Sequence, residues 1–299
     1  MTEPVTELPN LRQMLRDVGV ERFFADYWQQ RTLATTLRTE DFERILAEIG
    51  PLEIARFCGT AREGARAWLA NEFVAHSVIP VDATNAQKLF DIGATLYFIN
   101  VPLERLTNSV ADFLGAPRQK LIASLFLTPA GGGAVPHFDK NENFTIQLTG
   151  SKEWLVGTLP TVAAPPDGYV PGQTVPPSLA SLLPSSEEQP CQSVQLRPGS
   201  LLYIPRGAVH ATSSGTVSWS LNLSYSPSMW LDLLLVGLQR RLVPSERWRR
   251  TVTGAGRNCD SSALNANILS DLIGELRDML ADPVQLDQLS QSFLEHPNG

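Results

Sequence analysis

The chain has 299 residues, 43% of them hydrophobic and 18% charged, with 24 Lys+Arg against 31 Asp+Glu for a net charge of −7. That length supplies a sizeable core for one large domain or two small ones, and the composition excludes a disordered chain. The acidic balance argues against a general nucleic-acid partner, whose binding rests on neutralised phosphates.

In chain order, the first 115 residues read as a mainly helical N-terminal region. Leu11, Met14, Leu15, Val18, Phe23, Phe24 and Tyr27 recur at helical spacing. Thr39 is placed to cap a second helix that Gly50-Pro51 ends, Thr84 a third, and Pro102 opens a fourth. Between the last two, TLYFINV reads as a strand. From about Leu121 to Pro227 the texture changes to short strands: LIASLFLTP, NFTIQLTG, KEWLVGT, SVQLRPG, SLLYIP, GAVHATSS and TVSWSLNLSYS. Glycine, proline and serine separate them, which predicts a sandwich or barrel. TGSK reads as a hairpin connection. Residues 160–190, rich in proline, read as an inserted loop. After Pro227 helices return, with apolar stripes at Trp230–Leu238 and Leu264–Leu280. The expected fold is mainly β with flanking helices. Its parts are a helical region over 1–115, a barrel over 116–227 and a helical region over 228–299 that offers a surface for a homodimer.

No stretch approaches the roughly 20 apolar residues of a membrane span. The opening MTEPVTELPN lacks the basic and then apolar segments of a secretory signal. A cytoplasmic protein without a membrane partner is therefore expected. Cys58, Cys191 and Cys259 are too far apart for a zinc motif or a disulfide framework and read as small buried residues.

Only four histidines are present: His76, His137, His210 and His296. His137-Phe138-Asp139 stands out, because residues i and i+2 of a strand share a face and can converge on one point. With a third ligand from another strand, for which His210 is placed, this makes the two-histidine, one-carboxylate set of non-haem Fe(II) oxygenases. On its own the His-Xaa-Asp spacing is weak and common by chance. His76, among apolar residues, reads as structural and His296 as terminal. Arg247-Trp248-Arg249-Arg250 reads as a solvated helix end.

HFDKNENFTIQLTGSKEW and PGSLLYIPRGAVHA resemble the two signature strips of the JmjC-type cupin hydroxylases. Among these, the similarity is to the bacterial ribosomal-protein hydroxylases and to the asparaginyl hydroxylase of hypoxia-inducible factor. FFADYWQQRTL is similar to the opening of the former branch. The resemblance implies a double-stranded β-helix, Fe(II) held by His137, Asp139 and His210, and 2-oxoglutarate and O₂ as cosubstrates. It further implies that Lys152 pairs with the distal carboxylate of 2-oxoglutarate, and that Asn143 and Asn222 lie near the cosubstrate. Tyr97 is a weaker match to the same pocket.

Two departures stand out: Ala134 occupies a position where the asparaginyl branch has threonine, and AGGGAVP before His137 suggests an open or mobile lip. The implied activity is hydroxylation of an amino-acid side chain in a protein or peptide. A free amino acid, a peptide natural product, a metal cupin enzyme independent of 2-oxoglutarate and a non-enzymatic cupin module are the alternatives.

Overall fold

The structure is a computed structural model that describes residues 8–69, 74–157, 162–183, 192–252 and 262–294. His296, Cys191 and Cys259 lie outside the described residues. The chain divides into two compact units, Met1–Pro227 and Ser228–Gly299.

Among the described residues, twelve strands build the first unit. They are β1 Leu33–Thr36, β2 Ala65–Leu69, β3 Ile79–Val81, β4 Ala94–Phe98, β5 Leu121–Thr128, β6 Gly133–His137, β7 Glu142–Thr149, β8 Lys152–Gly157, β9 Gln192–Leu196, β10 Ser200–Ile204, β11 Val209–Ser214 and β12 Ser218–Tyr225. One sheet runs β1-β10-β7-β12-β5-β4-β2-β3 and the other β6-β11-β8-β9, every ladder antiparallel. Strands β5 to β12 divide four and four between the sheets, which is the double-stranded β-helix.

One expectation needs correction. TGSK does not close a hairpin: β7 already has β10 and β12 on its two edges, so Gly150-Ser151 leads across to β8 in the other sheet. Gly150 turns with φ +65°, and a Cβ there would lie 2.2 Å from the Val217 carbonyl oxygen. The N-terminal region is mainly helical, as expected, with six helices between Leu11 and Leu114 among the described residues. Besides the expected β4 it supplies β1, β2 and β3, which extend the large sheet at both ends. Sheet pairing overrides weak local propensity in such short segments. The expected helices form as Thr39–Ile49 and Glu104–Leu114, with Arg38 and Leu103 at the N-caps in place of Thr39 and Pro102, and Gly50 ends the first at φ +70°.

Strands β7 and β12 are buried on both faces. Their outward row, Phe144, Ile146, Leu221 and Leu223, is fully buried in the main core. Phe23 and Trp28 join it there, their rings 5.0 and 5.8 Å from that of Tyr203. The inward row is polar: Asn143, Thr145 and Gln147 on β7, Ser220, Asn222 and Ser224 on β12. Hydrophobic burial therefore lies mostly outside the barrel wall, and the inside is left to hydrogen bonding. Under that wall, Tyr203 donates to the buried Glu142 at 2.5 Å and accepts from the Gln29 amide at 2.8 Å. Burial pushes the Glu142 carboxyl above its usual range.

The described part of the 160–190 loop, 162–183, has one short helix, Pro177–Ala180. Tyr169 exchanges two backbone hydrogen bonds with Phe138, tying the loop to the segment after His137. Among the described residues, the second unit holds helices Trp230–Leu242, Glu246–Arg249, Ser262–Ala281 and Pro283–Leu294. Arg247 pairs with Asp271 and Glu275, and Arg250 with Glu246, which accounts for the basic spot. Among the described residues, no helix is long and apolar enough to cross a membrane.

Candidate active site

His137 ends β6 directly opposite His210 on β11, with ring centroids 4.2 Å apart. Asp139 follows just beyond the strand. Phe138 between them points the other way into a small apolar cluster with Val162 and Val209, so His137 and Asp139 stay on one side. Ligand atoms of His137, Asp139 and His210 all lie within 4.8 Å of one another. Each imidazole meets a backbone carbonyl through Nδ1, His137 at Val135 (2.8 Å) and His210 at Ala208 (3.0 Å). A carbonyl only accepts, so Nδ1 carries the proton and Nε2 keeps the lone pair that a metal takes. Burial and the neighbouring His210 pull His137 down to about 4, so the ring is neutral, as a ligand must be. Two imidazoles and a carboxylate suit Fe(II).

A polar relay fixes the carboxylate. Asn143 Nδ2 donates to Asp139 Oδ2 at 2.8 Å. Asn143 Oδ1 accepts from Asn222 Nδ2 at 3.2 Å and from Ser224 Oγ at 2.5 Å. Thr145 Oγ1 donates to Asn222 Oδ1 at 3.2 Å. Asn143 and Asn222 line the cavity and also act on the triad through this relay, which Ser224 and Thr145 complete.

Lys152 begins β8 in the opposite sheet. Its side chain is not at a solvated turn: the residue is 3% exposed. Nζ donates to Thr128 Oγ1 at 2.9 Å and lies 5.8 Å from the Phe126 ring centroid. Burial pulls the ammonium down to about 7. No carboxylate forms an ion pair with it among the described residues. A buried cation held by a hydroxyl alone is matched to a ligand anion.

All six residues singled out in the sequence, His137, Asp139, Asn143, Lys152, His210 and Asn222, line one cavity of about 380 Å³ between the sheets. Tyr97 joins them, its ring stacked on Phe126 at 4.3 Å and its hydroxyl pushed up to about 12, mainly by burial. Arg66, Trp68 and Thr95 complete that wall from β2 and β4. No local pattern marks them, because sheet pairing across 25 or more residues of sequence brings them in. The buried Thr95 Oγ1 and Trp154 Nε1 have no partner among the described residues, as befits a wall built for a polar ligand.

The glycine-rich lip is not open. A Cβ on Gly132 would lie 2.8 Å from Pro129, and on Gly133 1.9 Å from the Thr212 carbonyl oxygen, while Trp68 Nε1 donates to the Gly133 carbonyl. His76 is exposed, beside Gly172, and takes no part in the cluster. Cys58 is a free, half-buried thiol.

A double-stranded β-helix with a His-Xaa-Asp…His cluster facing a buried lysine is the arrangement of the JmjC-type cupins, Fe(II)- and 2-oxoglutarate-dependent dioxygenases. Residues 98–233 match the JmjC domain family. The chain is similar to YxbC of Bacillus subtilis, 26% identical over 94% of this chain and 90% of that one. It is also similar to mouse ribosomal oxygenase 2, 26% identical over 74% of this chain but only 48% of the relative, so it spans about half that protein's length. In fold it resembles the Escherichia coli ribosomal oxygenase YcfD in complex with cobalt and 2-oxoglutarate. The TM-score is 0.57 at 18% identity, over 91% of this chain and 70% of that one.

Proposed function

We propose that the protein hydroxylates an amino-acid side chain in a protein or peptide, with His137, Asp139 and His210 holding Fe(II) and Lys152 holding the distal carboxylate of 2-oxoglutarate. One observation carries this: the three-ligand cluster and a buried lysine without a carboxylate partner share one cavity. The bound metal supplies the oxidation, in which O₂ and 2-oxoglutarate yield succinate and CO₂ while one oxygen atom enters a substrate C–H bond. The protein's part is orientation and a dry wall. Asn143 keeps Asp139 in place, the backbone carbonyls of Val135 and Ala208 set the imidazole tautomers, and Thr128 aims Lys152. Lys152 sets this apart from a metal cupin without a cosubstrate, which has no need of a cation there. Mouse ribosomal oxygenase 2 and YcfD are named for the ribosome, which makes a ribosomal protein in the cytoplasm the first substrate to try.

The test is succinate formation from 2-oxoglutarate with Fe(II) in air, alongside +16 Da shifts in host lysate. His137→Ala is expected to abolish both, and Lys152→Ala to raise the 2-oxoglutarate requirement at least tenfold. A purified wild-type protein that neither retains Fe(II) nor makes succinate overturns the proposal.

The second unit leaves Trp230, Leu235, Leu269 and Ile273 exposed, at 84%, 55%, 57% and 56%. Such apolar surface is suited to burial against another copy, and we take it as the homodimer face. Light scattering at micromolar concentration is expected to give twice the monomer mass, and Leu235→Asp with Leu269→Asp to give a monomer.

A further inference from the structure

The described lining of the cavity contains two cations, Arg66 and Lys152, and one carboxylate, Asp139. In the proposed function Asp139 serves the metal and Lys152 the cosubstrate, which leaves Arg66 without an assignment. Arg66 on β2 stands in register with Tyr97 on β4, and Tyr97 with Phe126 on β5. The wall thus runs from a cation across two stacked rings, 4.3 Å apart, to a second cation that lies 5.8 Å from the Phe126 centroid. Two strand spacings, about 10 Å, separate the Arg66 backbone from that of Phe126, so the two cations address different groups.

The hydrogen bond of the Arg66 guanidinium within the protein runs from Nη1 to the carbonyl of neighbouring Ala65 at 3.1 Å. No carboxylate pairs with it among the described residues. Glu63, the nearest acid in sequence, is exposed, accepts from Asn100 Nδ2 and does not line the cavity. Val78, Val170 and Gln173 of the lining are neutral. A half-buried guanidinium with donors to spare is a fork for a planar, two-oxygen acceptor.

We propose that Arg66 determines specificity, and that the substrate presents a carboxylate, from an Asp or Glu side chain or from a free C-terminus, to this fork while its target C–H faces the metal cluster. This rests on the dioxygenase proposal above. A lysine or arginine target would meet Arg66 with no carboxylate other than the metal ligand to offset it. The net charge of −7 acts on a partner at long range, whereas Arg66 acts at bonding distance.

The test is binding of fluorescent, terminally blocked hexapeptides with one central Asp, Glu, Asn, Lys or Arg to the full-length protein loaded with Mn(II) and 2-oxoglutarate without oxygen. The Asn peptide with a free C-terminus forms a further arm. Asp or Glu peptides, or the free C-terminus, are expected to bind about tenfold tighter than the blocked Asn and basic peptides, and the arm that wins identifies the source of the carboxylate. Arg66→Gln is expected to erase that difference and Arg66→Glu to turn it toward the basic peptides, both with an unchanged 2-oxoglutarate affinity. Three outcomes overturn the assignment. These are no preference for any carboxylate peptide, wild-type preference for Lys or Arg peptides, or a fall in 2-oxoglutarate affinity in Arg66→Lys and Arg66→Gln without change in peptide binding. The proposal on function fails separately, by absence of metal retention and of succinate formation in the wild type.

Discussion

Lys152 is the residue whose charge state the fold controls most sharply. Its folded value, about 7, lies below the 10.5 of an unburied lysine, so between these two limits the unfolded protein holds more protons than the folded one. Stability of the ligand-free protein therefore rises with pH across that window. Urea unfolding at pH 7 and pH 9 is expected to show the rise in wild type and a flatter dependence in Lys152→Met. A carboxylate beside Lys152 favours its charged form, so binding 2-oxoglutarate at pH 8 takes up nearly one proton. Calorimetry in buffers of different ionisation enthalpy measures that uptake. Asn143 holds Asp139 by the hydrogen bond it donates, and Asn143→Ala is expected to weaken Mn(II) binding about 10–100-fold, since outer partners of metal ligands carry effects of that size. The grouping of His137, Asp139 and His210 was legible in the sequence because strand alternation and a scarcity of histidines leave few other arrangements. Arg66 and Thr95 were not, because what places them is β2 and β4 pairing onto β5, and no short-range pattern encodes that.

Among the elements, the β6–β11 pair sets the distance between the two imidazoles, and Gly133 is where it is most vulnerable. A methyl group at Gly133 would stand 1.9 Å from the Thr212 carbonyl oxygen, so the strands must part for Gly133→Ala to fold. His137 and His210 face each other on those same strands. The expected result is a loss of about 1–3 kcal/mol in stability together with loss of Mn(II) retention. Gly215→Ala, with open space around its added carbon, is the control and is expected to do neither. The eight barrel strands could be read from alternation bounded by glycine and proline, apart from β6, where the glycine run disguised a strand as a loose lip. The partners of β7 could not be read. A two-residue turn favours a hairpin locally, and only the finished sheet shows that both edges of β7 are taken by β10 and β12. Strand β2 was missed because Ala-Arg-Ala-Trp-Leu carries no β-branched residue.

Over the whole first unit, stability comes from one side of the wall and function from the other. Leu221→Ala, on the outward row, is expected to cost about 2–5 kcal/mol by chemical denaturation. Ser220→Ala, its neighbour on the inward row, gives up a hydrogen bond to Gln147 and is expected to cost about 1 kcal/mol. The Phe23, Trp28, Phe144 and Tyr203 layer, with rings 5.0–6.4 Å apart, stays intact in either case. This division bears on how such a protein changes over generations. A lineage can exchange one inward residue for another, and so trial a new substrate, while the folded population stays nearly constant. Selection on the outward row and selection on the inward row then proceed almost independently, and the barrel serves as a standing frame in which new specificities arise by single substitutions.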